Sequence, residues 1–114
     1  MGLFKNRKPP KDTNSVAFKR YMAKKLDGKH LTCVLEREDN DERVIGREGF
    51  ICLKGDELLV VAFGKEDTLF RAKVDTLNAW EFMSLNGVVL TAFDLEVGRE
   101  RTVLAYYSYH VNIK

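Results

Sequence analysis

Four side chains in this sequence are of the types that ligate metals or attack electrophiles: His30, Cys33, Cys52 and His110. A structural zinc needs four such ligands converging on one point. His30 and Cys33 are three residues apart, and in an extended chain that spacing sends them to opposite faces. Each cysteine sits inside an apolar, strand-like run, where a thiol behaves as a small buried hydrophobe. No nucleophile–base pair can be named. The sequence therefore assigns no catalytic residue, no cofactor-binding residue and no metal ligand. No cofactor and no metal are expected, and a small enzyme of unassigned chemistry is the last of three readings.

Two other constellations are weaker. The run Glu36-Arg37-Glu38-Asp39-Asn40-Asp41-Glu42-Arg43 sets five acids against two arginines. It lacks the central glycine and terminal glutamate of a calcium loop, so it reads as a solvated loop. The aromatics Trp80, Phe82, Tyr106, Tyr107 and Tyr109 have the chemistry to stack on nucleic-acid bases. Such platforms need interleaved Lys or Arg, and the neighbours here are Glu81 and Ser108, so a nucleic-acid partner is not expected. Tyr106 and Tyr109 fall on opposite faces of an extended segment, which exposes at least one; both are candidate protein-interface residues.

Charge is unevenly divided along the 114 residues. Residues 1–30 carry nine Lys/Arg against two Asp, a net +7, whereas residues 31–114 carry ten basic against fifteen acidic residues, a net −5. A basic arm on an acidic body follows. Residues 1–14 read as an extended arm, because Pro9-Pro10 excludes helix around it. Leu3 and Phe4, beside Lys5, Arg7, Lys8 and Lys11 and followed by Lys19 and Arg20, form a candidate membrane or anion contact. The first residues lack the apolar stretch of a secretory signal, and Asn6 stands where a myristoylation pattern wants Ser or Thr. The expected compartment is the cytoplasm with reduced thiols, or the inner face of the membrane in the alternative reading. The longest apolar run, Leu58 to Phe63, is six residues, far short of a membrane-spanning helix.

The elements that must position these residues follow from periodicity. Asn14 or Ser15 can cap a helix over 15–27, with Phe18, Met22 and Leu26 on one stripe, Tyr21 beside them and Gly28 at its end. From His30 the pattern changes to short apolar or alternating runs. Strands are expected at 31–35, 44–53 (interrupted at Gly46 or Gly49), 57–63, 68–74, 78–85, 88–93 and 101–111. Asn86-Gly87 predicts a tight type I′ hairpin. Short connections make neighbouring strands antiparallel. Leu58, Val60 and Ala62 oppose Leu59, Val61 and Phe63, so that strand is apolar on both faces. The helix is then expected to act as a plug or lid, covering an outer face or blocking an open end.

The run Gly49-Phe50-Ile51-Cys52-Leu53-Lys54-Gly55-Asp56-Glu57-Leu58-Leu59-Val60-Val61, then Thr68 to Val74, Ala79-Trp80-Glu81-Phe82, Gly87 to Asp94 and Thr102 to Tyr107, resembles the strand rhythm of pleckstrin-homology-like barrels, particularly the bacterial and GRAM-type relatives. The resemblance covers roughly residues 30–111 and rests on spacing and pattern. It implies a mainly β (α+β) fold of about seven antiparallel strands in a barrel or roll. That family usually plugs its barrel with a helix after the last strand; here the N-terminal helix would do so. The expected organisation is a basic extended arm, 1–14, and a single helix-plus-β-barrel domain, 15–114. The resemblance also implies a binding module rather than an enzyme. The loop where some relatives bind phosphoinositides is the acidic run 36–43, which repels phosphate. The first reading is therefore non-enzymatic protein interaction or assembly, with a protein partner or self-association. The alternative is peripheral attachment to an anionic membrane through the basic arm and helix.

Overall fold

The computed structural model describes residues 11–63 and 67–107. Its elements are α1 (Val16–Leu26), β1 (His30–Leu31), β2 (Cys33–Glu38), β3 (Asp41–Gly46), β4 (Gly49–Lys54), β5 (Glu57–Ala62), β6 (Thr68–Lys73), β7 (Asn78–Glu81), β8 (Gly87–Asp94) and β9 (Arg99–Tyr106), with a 3-10 turn at Val74–Thr76. The strands form two antiparallel sheets, ordered β1-β4-β5-β6 and β3-β2-β9-β8-β7. They face each other across one core and do not close into a barrel. The fold is mainly β with a single helix among the described residues.

The chain crosses between the sheets three times: at Thr32, at Arg47-Glu48 and through the 3-10 turn. Two of these crossings correct the expected strand list. The segment 44–53, expected as one interrupted strand, is two strands in different sheets. Gly49 opens the second strand where β4 lies so close to β5 that a Cβ would run into the Val61 carbonyl oxygen. The segment 31–35 is likewise divided at Thr32, whose N–H bonds Tyr106 O at 2.8 Å. The acidic run is not a loop. Residues Glu36–Glu38 and Asp41–Arg43 pair in register as a hairpin, with Asp39-Asn40 as its turn and Asp39 in the left-handed region at φ 58°. Among the described residues nine strands thus replace the expected seven.

The Asn86-Gly87 expectation is also corrected. β7 ends at Glu81, and a longer loop, 82–86, joins it to β8. Leu85, not Gly87, takes the left-handed conformation, at φ 64°. Gly87 instead lies inside β8, where any side chain would collide with the Ala105 carbonyl oxygen across the ladder.

Helix α1 forms where the periodicity places it. The Ser15 hydroxyl accepts from Phe18 N at 3.1 Å, satisfying a free N–H of the first turn. Gly28, at φ 89°, reverses the chain after the Asp27 cap, and Asp27 Oδ1 accepts from Leu53 N. Met22, Ala23 and Leu26 are buried among Leu31, Val34, Ile51, Leu58 and Phe70. Phe18 is only half-buried and leans on Trp80, ring centroids 6.1 Å apart. The helix therefore blocks an open end of the two-sheet core rather than lying over an outer face. Burying Met22 and Leu26 contributes roughly 1.5–3 kcal/mol each. No helix among the described residues is long and apolar enough to cross a membrane.

Candidate functional site

The interior is apolar except where the sheets meet beside β6. There β2 and β9 each put a charge at an inward position, Glu36 and Arg101, and β8 adds Asp94. Glu36 and Asp94 are fully buried. Arg101 Nε and Nη2 bond Glu36 Oε2 and Oε1 at 3.0 and 2.9 Å. Its Nη1 bonds Asp94 Oδ2 at 2.6 Å and Leu69 O at 2.9 Å. Arg43 and Arg99 close the remaining sides of Glu36 at 3.0 and 3.3 Å. Asp94 Oδ1 accepts from the N–H groups of Arg71 and Glu96. The Arg101 hydrogen bonds hold the Glu36 carboxyl down to about 2 against the upward push of burial, and Arg43 adds to the effect. Such a carboxylate stays ionised and fully engaged, so it offers neither a proton nor a free lone pair for general acid–base work. This charged knot is structural: it ties β9, β2 and β8 of one sheet to β6 of the other.

The outer face of the five-stranded sheet is built differently. Val44, Leu35, Leu104, Val89 and Trp80 are directly paired neighbours, one from each strand. Paired residues share a face, so these five form an unbroken apolar row across the whole sheet. Cys33 and Tyr106 form a second, shorter row beside it, and Phe82 packs edge-on against Tyr106 at 4.9 Å. Leu35 and Leu104 are buried in the middle of the row, while its ends are open: Val44 is 44% exposed and Trp80 49%. On the far side the row gives way to Arg37, Thr102, Thr91 and Asn78. At its Trp80 end the row meets α1, whose Phe18 ring lies 6.1 Å from the Trp80 ring.

The residues singled out from sequence are scattered. Leu3, Phe4, Lys5, Arg7, Lys8 and Tyr109 lie outside the described residues. Lys11 is exposed. Lys19 and Arg20 are turned to internal use: Lys19 Nζ donates to Leu77 O at 2.9 Å and Asn78 Oδ1 at 2.8 Å, and Arg20 pairs with Asp75 at 3.3 Å. They brace the helix against the start of β7. Tyr106 is half-buried beside the apolar row, so this one expected interface residue belongs to a larger patch that sequence reading did not assemble. The signal was present in the alternation of β2, β8 and β9, but only the register aligns the residues into a row.

A cleft of about 330 Å³ lies between α1 and the β4–β5 turn, with Ala23, Leu53 and Val74 as its apolar wall. Its charged rim is largely self-paired, through Arg20 with Asp75 and Lys73 with Asp56. Among the described residues no group of His, Cys, Asp or Glu is placed to hold a metal ion. No family model, no curated protein and no solved structure matches this chain.

Proposed function

We propose that this chain is a non-enzymatic binding module, a roll of pleckstrin-homology-like type, whose protein partner docks on the outer face of the five-stranded sheet. The observation that carries the reading is the five-residue apolar row from Val44 to Trp80, flanked by Tyr106 and Phe82. Leu35 and Leu104 are already buried within the chain, so the surface offered to a partner is the exposed Val44 and Trp80 with the half-buried Val89, Phe82 and Tyr106, an apolar patch with a polar border, as in an interface core with its rim. The charged knot supports the same reading, since its acids and arginines are consumed by one another.

The double variant Val44→Glu, Val89→Glu puts two charges on the row, one at its exposed end and one where Val89 is half-buried against Leu35 and Leu104. With an unchanged melting temperature, it should lose the partner that the parent chain retains in crosslinking and affinity capture. Equal capture by parent and variant would refute the docking face. Self-association is read in the same samples by light scattering, where a dimer of the parent that dissociates in the variant would identify the partner as a second copy.

A further inference from the structure

The loop between β7 and β8 presents two aliphatic side chains at its tip. Met83 is 101% exposed and Leu85 67%. Scattered exposed hydrophobes are ordinary on a protein surface, but this pair shares one five-residue loop that is held rigidly. Phe82 N donates to Gly87 O at 2.9 Å and Leu85 N to Phe82 O at 2.8 Å, while Tyr107 N holds Asn86 O at 2.7 Å. Phe82 anchors the base against Tyr106. Leu85 adopts φ 64°, a conformation that costs an L-residue with a Cβ and that glycine would adopt freely. The backbone is thus held in a disfavoured state at the position whose side chain points into water.

Each foot of the loop carries a lysine. Glu81, which precedes it, is paired with Lys25 at 2.8 Å. Tyr107, which is tied to its far end, lies under Lys29, whose ammonium is 4.8 Å from the ring centroid. Trp80, half-exposed on the strand leading into the loop, adds the aromatic type that favours the headgroup layer. We infer that loop 82–86 is a membrane-contact loop: Met83 and Leu85 enter the acyl boundary of an anionic lipid surface while Lys29 and the partly exposed Lys25 meet the headgroups. The apolar tip supplies a salt-independent part of the affinity and the lysines a part that salt screens. The choice of a lipid surface over a protein rests on shape and charge together. The tip is a short loop with two strongly exposed apolar side chains, Lys29 at one foot and the Lys25–Glu81 pair at the other, whereas the apolar row is a broad face with a polar border. This inference does not depend on the docking face.

The test is co-sedimentation of the full chain with vesicles of phosphatidylcholine alone and of phosphatidylcholine mixed with phosphatidylserine. The parent should bind the anionic vesicles, weaken but persist at high salt, and bind neutral vesicles less. Met83→Ser with Leu85→Ser should lower binding by at least about tenfold, the order expected from removing two aliphatic side chains from a lipid contact. Leu85→Gly keeps the loop conformation, so it should melt no lower than the parent and still bind more weakly. Val44→Glu with Val89→Glu should bind vesicles as the parent does, which separates failure of the docking face from failure of this loop. The inference is overturned if the parent does not bind anionic vesicles. It is equally overturned if both loop variants bind like the parent, which would leave the basic arm to carry the attachment. Loss of a protein partner from the loop variants without any vesicle binding would also overturn it.

Discussion

Strand β9 begins in one kind of interior and ends in another. At Arg101 it lies in the charged knot with Glu36 and Asp94; by Ala105 it lies in hydrocarbon, and just beyond it Tyr107 packs on the core to which Met22, Leu26 and Leu31 belong. Both regions solve the same problem, which is how to hold two unclosed sheets together. The helix end does so by area, without direction, and tolerates small shifts. The knot does so by geometry, with one guanidinium donating to side chains on two strands and to a backbone carbonyl on a third. Burial of charge is not a net source of stability in general, but removal of one partner is severe. The two ends should therefore fail differently.

The largest effect is expected at the knot. Arg101→Met leaves Glu36 and Asp94 buried without their shared cation and should cost about 3–5 kcal/mol in urea unfolding. A loss under about 1 kcal/mol would show that Arg43 and Arg99 can replace it. At the helix end, Met22→Ala should cost about 2–5 kcal/mol through the cavity it leaves. An unchanged midpoint would mean that the helix does not plug the core.

Acid sharpens the contrast. The folded Glu36 carboxyl titrates at about 2 against an ordinary 4.5. A depressed folded value means that the unfolded chain binds the proton first, so the contribution of Glu36 is present above about pH 4.5 and is lost as pH falls toward 2. Met22→Ala should retain this acid limb, whereas Arg101→Met should flatten it, as read from urea midpoints across that range. The smallest effect is at the start of the plug. Ser15→Ala removes the cap of α1 and should cost about 1 kcal/mol, with the same pH profile as the parent.

The helix was legible in the sequence because its signals are local: a capping serine, a stripe at intervals of four, and a glycine after the end. The knot was not. Glu36 sits in a run of charges that has the composition of a solvated loop, and its partner is 65 residues away. The trace it left was a shared irregularity: Glu36 continues the inward alternation of Val34, and Arg101 that of Val103 and Ala105. Opposite charges at inward positions of two strands mark a buried pair once those strands are known to be neighbours. The β7–β8 loop was misread for a related reason. Asn-Gly signals a tight turn locally, but the close approach of β9 reserves Gly87 for the ladder and moves the left-handed residue to Leu85. The members of the apolar row showed in the alternation of β2, β8 and β9, but the row itself did not, because a row across a sheet has no sequence period.

The acidic hairpin has a consequence for how the protein keeps to itself. Among the described residues β3 is the outermost strand of its sheet, and an edge strand is a template onto which another chain could add a strand. Its exposed residues include Asp41, Glu42 and Arg43 in succession, and its register is broken beside Leu35. Charge and irregular pairing at a sheet edge both discourage strand addition. The residues with the composition of a flexible loop thus supply the charge and irregularity that disfavour strand addition at this edge, next to an apolar face.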